Sequence, residues 1–75
     1  MTDFDIKLGE IFARLRQEHN YSQQYVADSM GVSKSTVHNW EKGKRQMFAH
    51  QFMELCAFYG VRPADIAEEI DNASI

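Results

Sequence analysis

The sequence has 75 residues and contains a single cysteine, Cys56. One cysteine excludes an intramolecular disulfide and is typical of a protein in a reducing cytoplasm. No cysteine–histidine spacing suits zinc, and no apolar run approaches the roughly 20 residues that a membrane-spanning helix needs. The first five residues, Met-Thr-Asp-Phe-Asp, are acidic, so we expect no secretory leader. These absences predict a cytoplasmic protein with no metal and no membrane partner.

The sequence also lacks the residue combinations that an enzyme active site needs. It offers no nucleophile–base set, no cluster of metal ligands and no phosphate-binding glycine loop, so we expect neither an enzyme nor a cofactor. An apolar content of 44% indicates a folded chain, and the length allows one domain over residues 1–75. We expect no second module for oligomerisation, ligand sensing or self-cleavage, and no small-molecule ligand is evident.

The net charge of −3 argues against a nucleic-acid partner, but the distribution of charge reverses that impression. Residues 33–50 hold four of the eight basic residues and one acid, Glu41. From Glu54 onward, five acids accompany a single base, Arg62. A molecule with one basic end can bind phosphates through that end. The acidic remainder could limit non-specific binding or serve solubility alone.

Apolar residues recur with the period of an α-helix near both ends of the chain. One stripe predicts a helix from Asp5 to about His19, and it comprises Leu8, Ile11, Phe12 and Leu15. A second predicts a helix from about Ala49 to Tyr59, ended by Gly60, and it comprises Phe52, Leu55, Cys56 and Tyr59. Pro63 suits the first turn of a last helix that runs to about Asp71 and buries Ile66 and Ile70. Residues 72–75 are expected to form a short tail, and Trp40 and most of the five phenylalanines to lie in the core.

Two short helices joined by a tight turn are predicted at residues 22–42. Ser22 and Ser33 are good N-caps, because a serine hydroxyl accepts a hydrogen bond from a free N–H of the first turn. Gly31 can end the first helix after Met30, since glycine adopts the left-handed conformation at little cost. The second helix runs to about Lys42, ends at Gly43 and buries Val37 and Trp40. Its opposite face is polar and carries Lys34, Ser35, Thr36, His38 and Asn39. This is the layout of a helix-turn-helix, whose second helix lies in the DNA major groove.

The same stretch carries a family resemblance. Ser-Gln-x-x-Val-Ala-x-x-Met-Gly-Val-Ser begins at Ser22, and Thr-Val-x-x-Trp-Glu-x-Gly-Lys-Arg follows from Thr36. These motifs resemble the phage-repressor family of helix-turn-helix proteins (Cro- and lambda-repressor-like, XRE-type), and the similarity runs from Leu8-Gly9 to about Ile70. The resemblance implies a compact all-α, five-helix, lambda-repressor-like DNA-binding domain. The family usually has proline where Met47 stands and a small capping residue where Phe48 stands.

The resemblance also implies roles for individual residues. The positions that reach base edges in the family are occupied here by Lys34, Ser35 and Asn39, with Thr36 and His38 as secondary candidates. Lysine suits guanine O6 and N7, and asparagine suits adenine N6 and N7; the alternative is a solvated helix face. Gln23 matches a glutamine that contacts a phosphate and braces a side chain of the recognition helix. Arg16 and Glu41 match a structural ion pair, and the loop cations Lys42, Lys44 and Arg45 can neutralise phosphates.

We therefore expect a sequence-specific, double-stranded-DNA-binding transcriptional regulator, bacterial or phage-encoded and nucleoid-associated. The resemblance favours a Cro-like repressor that binds a palindromic operator as a homodimer, because one short helix reads few base pairs. Ile70, Ile75 and the helix 4–5 region are the expected dimer contact. The alternative is a protein-interaction module, such as an antitoxin or anti-repressor partner, which the acidic C-terminal third would suit.

Overall fold

A computed structural model of the chain describes residues 2–73, and this part forms five α-helices without a strand. The helices are α1 (Asp3–Glu18), α2 (Gln23–Met30), α3 (Lys34–Glu41), α4 (Ala49–Tyr59) and α5 (Pro63–Ala73). The all-α architecture with five helices is as predicted. None of the helices in residues 2–73 has the length and apolar character needed to cross a membrane.

The first helix starts earlier than predicted, at Asp3 rather than Asp5. The backbone N–H of Asp5 donates to the hydroxyl of Thr2 at 3.1 Å, and the backbone N–H of Thr2 donates to the Asp5 carboxylate at 3.4 Å. This reciprocal capping satisfies N–H groups that a helix end otherwise leaves free. The last helix likewise extends past Asp71 to Ala73, where a tail was expected from Asn72 onward.

The predicted caps of the two central helices are present. The hydroxyls of Ser22 and Ser33 accept from the backbone N–H groups of Tyr25 and Thr36. Gly31 ends α2 in the left-handed conformation with a φ of +70°. These local signals set where α2 stops and α3 begins, so they determine the turn between the two helices.

The core joins all five helices and leaves two phenylalanines outside. Helix α1 packs against α3 and α5, α2 packs against α3 and α4, and α4 packs against α5. The buried apolar residues include both predicted stripes except Phe52, which is half-buried, together with Val26, Ala27, Val37, Trp40, Ile66 and Ile70. Phe12 is buried and Phe52 and Phe58 pack against the core, so most of the five phenylalanines are core as predicted, whereas Phe4 and Phe48 are 53% and 67% exposed. Both lie beside a helix start, where the chain is at the surface.

Two glycines allow the C-terminal end of α3 to lie directly against α1. A Cβ placed on Gly9 would collide with the carbonyl oxygen of Trp40 and lie 2.6 Å from that of Glu41. Gly43, which follows α3, has a φ of +71°, and a Cβ there would lie 2.8 Å from the Cα of Ile6. Backbone therefore packs on backbone at this point, and the position of α3 depends on the absence of two side chains.

The fourth helix begins at Ala49 as predicted, although neither family residue precedes it. Phe48 occupies the N-cap position and its side chain makes no capping hydrogen bond. The Oε1 atom of Gln51 instead accepts a hydrogen bond from the backbone N–H of Phe48 at 2.9 Å. Met47 is partly buried against the core and anchors the loop. The bond from the N-cap backbone to the Gln51 side chain is one of the two bonds of a capping box, and it is present although Phe48 cannot make the other.

Candidate nucleic-acid interface

The outer face of α3 presents polar side chains to solvent. Lys34, Ser35 and His38 are exposed, and Asn39 is half-buried. Val37 and Trp40 on the opposite side are 2% and 3% exposed, so the helix is held against the core by that side. The structure therefore brings together four of the five residues that were predicted to read bases.

Thr36 does not belong to this outer face, which corrects the prediction. Its side chain is only 8% exposed, and its hydroxyl lies 2.8 Å from the hydroxyl of Ser33, with which it shares a hydrogen bond. Thr36 precedes Trp40 by four residues, which places the two on the same side of a helix. Thr36 therefore supports the start of α3 and is not available to a base edge.

The positive charges of the chain divide into paired and unpaired groups. Each of three arginines pairs with a carboxylate: Arg14 with Glu69, Arg16 with Glu41 and Arg62 with Asp65. The exposed cations on α3 and in the loop that follows have no acid within salt-bridge distance in the described part of the chain; they are Lys34, Lys42, Lys44 and Arg45. Cations without an acidic partner are the ones that can neutralise phosphates without first breaking an ion pair.

A single ion-pair network ties α1 and α2 to the end of α3. The guanidinium of Arg16 donates two hydrogen bonds to Glu41, at 2.7 and 3.0 Å, and a third to the carbonyl of Tyr21 at 3.0 Å. The side-chain amide of Gln23 donates to the same carboxylate at 3.1 Å. The expected Arg16–Glu41 pair is thus present, and Gln23 contacts a side chain of α3 as the family resemblance implies.

The network is largely closed to water, which affects its protonation. The Arg16 and Glu41 side chains are 15% and 8% exposed. Hydrogen bonding to Glu41 raises the pKa of Arg16. Burial, with a smaller contribution from Glu41, raises the pKa of the neighbouring Tyr59 to about 12. At neutral pH the Arg16 guanidinium is therefore charged and the Tyr59 phenol beside it is neutral.

Metal binding and thiol reactivity find little support in the described residues. Residues 2–73 contain no group of three metal-ligating side chains. Cys56 is buried, as predicted, and its burial raises the pKa of the thiol, which disfavours the reactive thiolate. One link was missed from the sequence: Arg14 donates to Glu69 across 55 positions, at 2.6 and 3.2 Å. No local pattern signals a pair so distant in sequence.

Two capped helices are joined by a tight turn, and the second presents a polar face beside unpaired cations. This is the arrangement of a DNA-binding transcriptional regulator of the helix-turn-helix class. A model of the Helix-turn-helix family matches residues 12–66. The chain belongs to this family, and within it to the Cro-like, XRE-type group that its motifs resemble.

A solved structure with the same fold is that of the restriction-modification controller protein C.AhdI from Aeromonas hydrophila. The two chains are 24% identical, and the match covers 81% of this chain and 92% of the other with a TM-score of 0.74. This likeness shows the five-helix fold. Among curated proteins no sequence matches the chain.

Proposed function

We propose that the protein is a repressor that covers a promoter by binding a palindromic operator as a homodimer. The observation that carries this proposal is the exposed polar face of α3 next to four unpaired cations. A helix of this kind offers both contacts that a DNA reader needs, hydrogen bonds to base edges and neutralisation of phosphates. A restriction-modification controller of the same fold supports a regulatory role for a chain of this size.

The base readers in this proposal are Lys34, Ser35 and Asn39, with His38 beside them. Lys34 is the first residue of α3 and is exposed, so its ammonium can reach guanine O6 and N7. Asn39 is half-buried, and its side-chain amide makes no hydrogen bond within the described residues. That amide is therefore free to pair with N6 and N7 of adenine.

The phosphate contacts in this proposal surround the recognition helix. Lys42 caps the end of α3, and Lys44 and Arg45 follow in the loop before α4. Gln23 opens α2, where free backbone N–H groups also attract phosphate. Because the amide of Gln23 already donates to Glu41, we propose that this residue acts mainly by bracing α3, with any phosphate contact coming from its backbone N–H.

Homodimer binding follows from the limited reach of one recognition helix. The eight residues of α3 cover a few base pairs, which is too little for useful specificity. Two copies related by a two-fold axis would place their recognition helices about 34 Å apart, one turn of DNA, on a palindromic site. Of the expected dimer contacts, Ile70 is 5% exposed and belongs to the core of its own protomer, and Ile75 lies outside the described residues.

Asn39→Ala and Lys44→Ala should weaken DNA binding in different ways. Loss of a base contact should cost about 1–3 kcal/mol on the specific duplex and leave binding to a scrambled duplex nearly unchanged. Loss of a phosphate contact should weaken both duplexes equally and lower the salt slope by roughly one unit. Affinities for both duplexes at low and moderate salt measure the difference.

Glu68→Ala, an exposed substitution on α5, is the control for general effects on folding and charge. If Asn39→Ala loses affinity for both duplexes to the same extent as Lys44→Ala, Asn39 does not read a base. If neither substitution changes binding, the proposed DNA face of α3 is wrong.

A further inference from the structure

Phe48, at the start of α4, is the most exposed large apolar residue in residues 2–73, with 67% of its surface open to solvent. Its neighbour Met47 turns inward and packs against the core. The ring of Phe48 turns outward and lies nearly parallel to that of His50, with 11° between the planes and 5.9 Å between the centroids. The contact with His50 supports one face of the ring, and much of the rest faces solvent.

The backbone at Phe48 suits a small capping residue better than a phenylalanine. Its φ of −68° and ψ of 155° are close to the −79° and 160° of Ser22 and the −80° and 156° of Ser33, which both cap their helices. A serine with this backbone accepts a hydrogen bond from the first turn, whereas Phe48 makes no capping bond with its side chain. An exposed ring also gains little from the hydrophobic effect. Neither capping nor burial accounts for the phenylalanine, which points to a contact outside the protomer.

The charges beside Phe48 indicate a negatively charged partner. Lys44 and Arg45 precede it by four and three residues, and neither has an acid within salt-bridge distance in the described part of the chain. At no more than about 3.6 Å per residue, the Cα atoms of Arg45 and Phe48 lie within about 11 Å of each other. A partner that meets these three side chains together must carry both negative charge and an apolar surface. DNA carries both, in its phosphates and in the faces of its sugars and bases.

We propose that Phe48 enters the minor groove beside the half-site read by α3 and partly unstacks one base step. The inference rests on the proposed function and adds a contact to it. With α3 in the major groove, the phosphates that Lys44 and Arg45 neutralise form the wall between that groove and the neighbouring minor groove. Phe48 follows these cations in the chain, so its ring reaches the minor-groove side of the wall. Apolar side chains inserted from the minor groove open a base step and kink the duplex.

A wedge at this position gives specificity at base pairs that α3 itself does not touch. Pyrimidine–purine steps such as TA and CA unstack more easily than other steps. The operator is therefore expected to carry such a step next to each half-site, and the bound DNA is expected to be bent. The stacked ring of His50 holds Phe48 in place before binding, which reduces the side-chain entropy lost on insertion.

Phe48→Ser separates this role from a structural one, on a duplex that the unaltered protein selects from a random pool. The substitution supplies a helix cap and removes an exposed ring, so the melting temperature should stay equal or rise. Affinity for the selected duplex should nevertheless fall roughly tenfold, the scale of one aromatic contact with a base. The DNA bend, measured by the gel mobility of duplexes that carry the site at different positions, should shrink. Phe48→Leu should retain most of the affinity and the bend, because leucine also acts as a wedge.

A fluorescent base reports the unstacking itself. 2-Aminopurine in place of adenine at the pyrimidine–purine step brightens when it leaves the stack, so the unaltered protein should brighten it and Phe48→Ser should not. On a duplex whose flexible step is replaced by a stiff A-tract, the two proteins should bind with nearly equal affinity. Phe4→Ala is the matched control, because Phe4 is 53% exposed and lies on α1, and it should change neither affinity nor bend.

The outcomes separate this inference from the proposed function. Equal affinity and equal bend for Phe48→Ser and the unaltered protein overturn the wedge and leave sequence reading by α3 intact. If free Phe48→Ser loses self-association in sedimentation, the ring packs against a second copy and the wedge is likewise overturned. If the unaltered protein selects no site from the random pool, the proposed function fails and the wedge fails with it.

Discussion

Gly9→Ala is expected to be among the most destabilising single substitutions in this protein, with a loss of about 3 kcal/mol or more in the free energy of unfolding. The added Cβ would collide with the carbonyl oxygens of Trp40 and Glu41, which are backbone atoms and cannot rotate away. Relief requires α1 and α3 to separate, which opens the core around Phe12 and Trp40. Urea unfolding followed by circular dichroism measures the loss.

Gly31→Ala is the matched control for Gly9→Ala. A Cβ on Gly31 meets nothing within 4 Å, so its cost comes only from the left-handed backbone with a φ of +70°. That cost is about 1–2 kcal/mol. If Gly9→Ala is no more destabilising than Gly31→Ala, the close approach of α1 and α3 is not as the structure describes.

Arg16→Ala is expected to destabilise the fold by about 3–5 kcal/mol. It removes three hydrogen bonds and leaves the carboxylate of Glu41, 8% exposed, with the amide of Gln23 as its remaining partner. A stranded charge in a nearly closed site carries most of this cost. The double variant Arg16→Met with Glu41→Leu should be much less destabilised than Arg16→Ala, since neither charge then remains buried.

Arg14→Ala provides the comparison at the surface. Arg14 also makes two hydrogen bonds to a carboxylate, that of Glu69, but the side chains are 48% and 42% exposed. Water and salt screen such a pair, so the expected loss is under about 1 kcal/mol.

Equal melting temperatures for Arg16→Ala and the unaltered protein would contradict the buried network.

Most helix limits could be predicted because their causes are local. Ser22, Ser33, Gly31 and Gly60 act on the turn in which they stand, and the apolar stripes of α1 and α4 depend only on the helical period. The early start of α1 has a local cause as well, in Thr2 followed three residues later by Asp5. Threonine followed three residues later by an acid has the spacing of a capping box, so this start was also predictable from the sequence.

The errors at the site also have physical causes. Thr36 was placed on the DNA face by its polarity, although its four-residue spacing from Trp40 assigns it to the buried side. Hydrophobicity alone could not tell which phenylalanines lie outside the core, because it does not show that Phe4 and Phe48 stand beside exposed helix starts. Arg16 and Glu41 could be paired only by resemblance to a family, because 25 positions separate them and no periodicity connects α1 with α3.

The close approach at Gly9 could not be predicted from periodicity. Gly9 lies next to the apolar stripe of α1, where a small residue is compatible with many packings. Its role becomes apparent only when the end of α3 is placed against it in three dimensions.

Selection of bound duplexes from a random DNA pool tests whether α3 reads DNA sequence. We expect enrichment of one site with two-fold symmetry, whose half-sites lie about one helical turn apart. Selection with Asn39→Ala should relax the preference at one position in each half-site and leave the symmetry intact. A pool that remains random after repeated rounds, while the protein stays folded and binds all duplexes equally, would contradict the claim.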